Sequence, residues 1–248
     1  RLAAGEVVVL RDAFRPEFAE AVHRELRGPG APWTLNEAYF DDGYAYRHHN
    51  VYERSLWSER LNKTFAVFDS QATKEWMAAF SDRDCAGPAL GSPSYYLPGD
   101  HSLPHTDWSG QRTIAYVWHL SKGWRPEWGG ALYWAQSPHS AATFPASFNT
   151  LVLFSVTPAS AHFVTTVSPH AKERRLAFNG WWQSAWLPSG ADDLESVLAR
   201  AADNGGVTHA QLEEVGELIR WQSLAPERRE SLSALHCQVV RELMPAAE

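Results

Sequence analysis

The chain has 248 residues, enough for one or two domains with a substantial hydrophobic core. Its 44% hydrophobic and 21% charged content excludes a wholly disordered chain, and no run of about 18 apolar residues marks a membrane span. Lys and Arg number 22 against 29 Asp and Glu; the net charge of −7 argues against nucleic acid as the main partner. Cys85 and Cys237 are the whole cysteine content, which excludes a disulfide framework or a four-Cys zinc site. Free thiols suit a reducing compartment, so a cytoplasmic location is expected. The chain opens on Arg1 rather than Met, as expected of a trimmed or processed chain, and shows no signal-like segment.

In chain order, the apolar run Val7–Leu10 reads as a strand. A helix is predicted from Pro16 to Leu26, with Phe18, Val22 and Leu26 on one stripe, ended by Gly28-Pro29-Gly30. A second helical region, in one or two pieces, spans about Leu56–Phe80, with Leu61, Phe65, Phe68 and Trp76 on its apolar positions. From Ser94 to Trp186, short runs rich in Val, Ile, Thr and aromatics alternate with Gly, Pro and Ser turns. Strands are predicted at Ser94–Leu97, Arg112–Leu120, Gly130–Trp134, Thr150–Val156, His162–Val167 and Arg174–Trp182, the texture of a sandwich or barrel. Helices before strands give an α+β chain. After Leu187-Pro188-Ser189-Gly190 the pattern turns helical again: Asp192–Ala202, a run to Trp221 opened by a capping box at Thr208 and Gln211, and a helix from Pro226 to about Met244. The expected division is therefore 1–190, with its β core at about 94–186, and a helical extension at 191–248. Apolar stripes (Leu212, Val215, Leu218, Ile219; Leu232, Leu235, Val239, Leu243) call for a surface to pack on. The simplest expectation is a buttress for the barrel; the alternative is part of a substrate groove or dimer contact.

Three pieces of the β region carry chemistry. In Pro104-His105-Thr106-Asp107, positions i and i+2 of a strand point to one face, so His105 and Asp107 can share an ion. His162 opens the next piece. Two His and one carboxylate, with other coordination positions open, form the facial triad of non-haem Fe(II) oxygenases. Arg175 follows the turn Ser168–Glu173, and a buried Arg suits the anchoring of an organic acid. His101 and His170 are the alternative ligands. The chain holds 12 Trp and 11 His, most of which need no chemistry. His48 and His49, adjacent on an extended segment, point to opposite faces and read as surface or substrate-groove residues. Arg112 reads as a structural ion-pair partner. Trp124 and Trp128 suit either a substrate mouth or the core, and His23, His139, His209 and His236 suit solvent or core.

The ordered set Tyr96-Leu97-Pro98-Gly99-Asp100, His105-Thr106-Asp107, Arg112-Thr113-Ile114-Ala115-Tyr116, Trp124 to Gly130, Phe148 to Phe154, Ser160-Ala161-His162 and Arg175 to Trp181 resembles the Fe(II)/2-oxoglutarate-dependent dioxygenases, in their prolyl-hydroxylase-like branch. The resemblance implies a double-stranded β-helix (jelly-roll, cupin-like) core with N-terminal supporting helices. It implies Fe(II) on His105, Asp107 and His162, with 2-oxoglutarate and O2 as cosubstrates and ascorbate as a possible stimulant. Arg175 would take the distal carboxylate of 2-oxoglutarate, with Arg174 as runner-up, and Tyr96 would line that pocket. His119 stands where related enzymes often carry Tyr and would donate its own hydrogen bond. Asp107 favours hydroxylation over halogenation, since related halogenases lack this carboxylate. The implied reaction hydroxylates a C–H bond, with succinate and CO2 as co-products. The implied substrate is a prolyl residue of a protein or peptide, or alternatively a free amino acid or natural-product intermediate. A zinc hydrolase lacks its His-Glu-x-x-His helix here and leaves Arg175 without a role. The intact set His105, Asp107, His162 and Arg175 argues against a non-catalytic cupin-like binding module.

Overall fold

A computed structural model of the chain describes residues 1–40, 43–108, 111–137, 140–157, 159–185, 194–195, 198–199, 202, 215–216, 219 and 225–243. They belong to two compact units, Arg1–Asp107 with Arg112–Ser184 and Trp108–Gln111 with Ala185–Glu248.

The first unit begins with β1 (Val8–Leu10) and α1 (Pro16–Arg27). Pro16 presets the first helical turn, and Gly28 ends the helix with its N–H on the Arg24 and Glu25 carbonyls. β2 (Thr34–Tyr39) and β3 (Ala45–Asn50) form a hairpin. The second helical region is two helices, α2 (Glu59–Asp69) and α3 (Gln71–Ser81). Ser70, extended at ψ 145°, breaks them and caps α3 by accepting from the Thr73 N–H. Then come β4 (Leu90–Tyr96), β5 (His101–His105), β6 (Arg112–His119), β7 (Leu132–Ser137), β8 (Ser140–Phe144), β9 (Thr150–Ser155), β10 (His162–Val164) and β11 (Arg175–Gln183). All pair antiparallel in one curled sheet, ordered β1-β9-β6-β11-β4-β3-β5-β10-β7-β8 with β2 on β3, the double-stranded β-helix expected from the sequence. The hairpin β2–β3 and strands β5 and β8 were not expected. Arg47, His48, His49 and Pro104 hide the alternation that marks a strand.

Strand alternation divides the sheet's two faces. On one face Tyr116, Trp118, Phe178 and Trp182 meet the helices. Phe68 of α2 stacks on Tyr116 (centroids 4.4 Å apart) and on Phe178 (5.7 Å), and the Trp182 Nε1–H donates to the Phe68 carbonyl at 2.8 Å. Phe14 and Phe18 pack on Trp118. His23 is core-packed, with Nδ1 2.8 Å from the Leu120 carbonyl. Trp76 corrects the sequence reading: it is 50% exposed and stacks on its i+4 neighbour Phe80, because α3 offers the core Met77 instead. Phe68 is 1% exposed at the centre of this face, so Phe68→Ala should lower the unfolding free energy by about 3–5 kcal/mol, read as a shifted denaturant midpoint. The opposite face, with Ala115, Val117, His119, Phe154, Tyr96 and Arg175, is left for the site.

In the second unit α4 (Pro226–Leu243) begins at the expected Pro226, with Leu232 and Val239 buried. Val215 and Ile219 are helical and buried, as their apolar stripe predicts, and Leu194 and Leu198 are helical and buried within the predicted helix Asp192–Ala202. The Leu187–Gly190 break, the Thr208–Gln211 capping box, Leu212, Leu218, His139 and His209 lie outside the described residues. No described helix is long and apolar enough to cross a membrane.

Candidate active site

His105 ends β5 and His162 opens β10, and the two are direct cross-strand partners. Their rings lie 4.3 Å apart, centroid to centroid. Asp107 completes the group, with one donor atom of each residue within 4.8 Å of the others. Asp107 does not reach this place by strand alternation, as the His-x-Asp spacing suggested. β5 stops at His105, and Asp107 sits in the left-handed region at φ 60°, so a turn swings its carboxylate back toward the histidines. Asp is among the few residues that visit this region readily.

The histidines are oriented from behind. His105 Nδ1 lies 2.8 Å from the Leu103 carbonyl and His162 Nδ1 lies 2.8 Å from the Ser160 carbonyl. Only an N–H can make such a bond, so Nδ1 carries the proton and both Nε2 atoms face Asp107, at 3.5 Å and 3.3 Å. Fixing the tautomer through the distal nitrogen is how metal-binding histidines are held. Ser160 couples the two segments further, since its hydroxyl sits 2.6 Å from the Thr106 carbonyl. The Trp181 Nε1–H donates to Asp107 Oδ2 at 3.0 Å. Arg112 stacks on the Trp181 ring at 3.8 Å and approaches Asp107 Oδ1 at 3.7 Å, so its structural ion pair is with the candidate ligand itself. Burial alone would raise the Asp107 carboxyl, but His105 and His162 hold it well below the usual carboxylate range. The donor set, two oriented imidazoles and one ionised carboxylate, fits a divalent iron ion. His101 binds the Gly99 carbonyl and His170 is exposed on a turn; neither joins the group.

Arg175 opens β11 on the same face and is 2% exposed. Its Nε–H donates to the Gly130 carbonyl at 2.6 Å. The motif Trp124–Gly130 braces this contact: Trp128 is buried, and the Trp124 Nε1–H donates to the Gly129 carbonyl at 2.9 Å. Gly129 and Gly130 both take positive φ (66° and 65°), a Cβ on Gly129 would come within 2.3 Å of the Thr166 carbonyl oxygen, and one on Gly130 would press on the Arg175 side chain at 3.1 Å. The Arg175 guanidinium lies 4.7 Å from the Tyr96 ring centroid, its cross-strand partner. Among the described residues no carboxylate pairs with it. A buried cation without a counter-charge is costly, and an anionic ligand relieves that cost. Arg174, one position before it, is exposed and lies over the Tyr95 ring instead. His119 is fully buried, and neither of its ring nitrogens has a hydrogen-bond partner among the described residues. Burial, then the Arg175 charge, keeps it neutral by pushing its pKa well below the ordinary imidazole value.

His48 and His49 point to opposite faces, as strand geometry requires. His49 stacks on Tyr95 and sits 3.5 Å from the buried Asp100 carboxylate. His48 is not a surface residue: it stacks on Tyr96 inside the site face. Burial, and then the Arg175 charge, drops its pKa from 6.5 to about 4. In the unfolded chain His48 takes up a proton below about pH 6.5. The folded protein resists this until about pH 4, so the contribution of His48 to stability is complete above 6.5 and is lost as pH falls. Between those values the loss is about 1.4 kcal/mol per pH unit. Denaturant melts from pH 7 to 4 should therefore show a shallower acid limb for His48→Phe than for the parent.

Residues 91–183 match the 2OG-Fe(II) oxygenase superfamily. Among solved structures, a Pseudomonas putida prolyl-4-hydroxylase is similar at TM-score 0.57 and 19% identity, over 74% of this chain and 95% of that one. A prolyl 4-hydroxylase from Phytophthora capsici is similar at 0.53 and 16%, over 98% and 88%. The non-haem alpha-ketoglutarate-dependent epimerase SnoN from nogalamycin biosynthesis is similar at 0.54 and 12%, over 75% and 80%.

Proposed function

We propose that this 2-oxoglutarate- and Fe(II)-dependent dioxygenase, whose residues 91–183 belong to the 2OG-Fe(II) oxygenase superfamily, hydroxylates a prolyl residue of a protein or peptide. One observation carries the assignment of the site: two histidines with Nε2 turned to one carboxylate share a face with a buried arginine that, among the described residues, no carboxylate pairs with. In this reading His105, Asp107 and His162 hold the iron, and Trp181 fixes which carboxylate oxygen faces it. Arg175 takes the distal carboxylate of 2-oxoglutarate in a two-point pair, beside Tyr96 and neutral His119. Iron with 2-oxoglutarate and O2 supplies the oxidation that leaves succinate, CO2 and a hydroxylated C–H bond. Phe154 and Trp134 pack against His162 and exclude water from that side.

The prolyl assignment is supported by the wall on the β2–β3 hairpin. The Tyr44 ring is 4.9 Å from His105, Tyr46 and Phe40 continue it outward, and Phe40 is 50% exposed. Aromatic-lined grooves suit proline-containing extended peptides. The likeness to two prolyl-4-hydroxylases points the same way. The likeness to SnoN favours a natural-product substrate as the second reading. The deciding experiment incubates the iron-loaded enzyme with 2-oxoglutarate, O2 and proline-containing peptides, free proline and small-molecule acceptors, and reads a mass gain of one oxygen. Oxygen on a peptidyl proline is the expected result. Gain only on free amino acids or small molecules would overturn the prolyl assignment.

A further inference from the structure

Three polar groups on the site face remain without protein partners once the iron ligands and the Arg175–Gly130 contact are set aside. They are the two ring nitrogens of His119, Nδ1 of His48, and the terminal nitrogens of Arg175, for which no hydrogen bond is seen among the described residues. His119 belongs to the cosubstrate pocket already described. His48 comes from a different element, the β2–β3 hairpin, and nothing in the site as read so far uses it.

Its position is set by register. β3 pairs with β4 at His49↔Tyr95 and Asn50↔Ser94, so continuing one step sets His48 opposite Tyr96, and Tyr96 in turn is opposite Arg175. His48, Tyr96 and Arg175 thus form one row across three neighbouring strands, all on the same face. The His48 ring stacks nearly parallel on Tyr96 (centroids 5.1 Å, 16°), while the Arg175 guanidinium lies 4.7 Å from that same ring. Tyr46 closes the other side of His48 at 5.2 Å. The imidazole is therefore clamped between aromatic rings, with its Nδ1 buried and without a partner among the described residues. A buried donor or acceptor left unmade costs about 1–3 kcal/mol, so such an atom is kept where a ligand completes it.

We propose that His48 is a cosubstrate-binding residue of this enzyme: clamped on Tyr96, it donates an Nδ1–H hydrogen bond to the 2-oxoglutarate anion held by Arg175. The row then contributes one charge-matched fork from Arg175 and one neutral donor from His48, with Tyr96 as spacer. The inference rests on the reading of Arg175 as the 2-oxoglutarate anchor.

The test uses the full chain loaded with Zn(II), which has no redox chemistry, so that binding is read without turnover. Calorimetric titration with 2-oxoglutarate compares the parent with His48→Phe, which keeps the stacked ring and removes the donor, and His48→Asn, which keeps a donor near the Nδ1 position. His48→Phe should bind 2-oxoglutarate at least about tenfold more weakly, or about 1.4 kcal/mol. His48→Asn should stay within about threefold of the parent, and Zn(II) affinity should be the same in all three. Without 2-oxoglutarate, His48→Phe should melt no lower than the parent, since it loses only an unpartnered polar atom. Parent-like 2-oxoglutarate binding by His48→Phe would overturn the inference and leave the Arg175 reading standing. An equal loss in both variants would overturn the donor role, and so would a much lower melting temperature of ligand-free His48→Phe. A parent protein that fails to bind 2-oxoglutarate at all would instead overturn the Arg175 reading beneath it.

Discussion

Asp107→Ala should abolish Fe(II)-dependent formation of succinate from 2-oxoglutarate and weaken metal binding by well over 100-fold. Losing a residue that merely orients a metal ligand costs about 10–100-fold, and Asp107 is the sole anion of the donor set. The histidines are held by the Leu103 and Ser160 carbonyls rather than by Asp107, so they should keep their places when it goes. The loss would then belong to the missing charge and not to a collapsed site. Asp107→Glu should rescue poorly, because the carboxylate is set by a left-handed backbone at φ 60° and by a 3.0 Å bond from Trp181, neither of which tolerates an added methylene. Calorimetry with Zn(II) and succinate assays read both effects. Undiminished turnover in Asp107→Ala would move the third ligand elsewhere and sink the assignment.

The candidate site could be assembled from the chain because residue type and order point to it: His105, Asp107, His162 and Arg175 occur in sequence among β-forming runs. How they meet was less accessible. The His-x-Asp spacing suggested one strand face, whereas the chain leaves the strand at His105 and returns Asp107 through a positive φ, which no hydrophobic pattern encodes. The strand of Tyr46-Arg47-His48-His49-Asn50 went unread for a related reason. Its inward Tyr46 and His48 lie on the face of the candidate site rather than in the hydrophobic core, so the alternation that marks a half-buried strand is missing. His48 was thereby left between a surface and a substrate-groove role, and its neighbours Tyr96 and Tyr46 favour the inner of the two. Trp76 failed in the opposite sense: helical spacing put it on an apolar stripe, but tertiary packing chose the Met77 side of α3. Arg112 was read correctly as an ion-pair partner. The partner, the carboxylate of Asp107 in the candidate metal group, became visible only in three dimensions.

Arg175→Ala should leave metal binding intact and raise the 2-oxoglutarate requirement by roughly 30-fold to several thousand-fold. Removing one partner of a buried, hydrogen-bonded charge pair costs about 2–5 kcal/mol, at about 1.4 kcal/mol per factor of ten. The upper part of that range is favoured here by the surroundings. The guanidinium is 2% exposed, His119 beside it is neutral, and no other cation on the described site face can take over the carboxylate. Arg175→Lys should recover little. Arg175 spends its Nε–H on the Gly130 carbonyl at 2.6 Å and still presents two terminal nitrogens to a ligand, whereas an ammonium that reached the carboxylate would abandon Gly130. The strand itself supplies the control. Arg174 is exposed and lies over the Tyr95 ring instead, so Arg174→Ala should change the 2-oxoglutarate requirement less than twofold. Measured KM values for 2-oxoglutarate, with Zn(II) affinity alongside, separate the two positions. If Arg174→Ala carried the defect and Arg175→Ala did not, β11 would present the other face to the site, and the row from His48 through Tyr96 to Arg175 would have no ligand to meet.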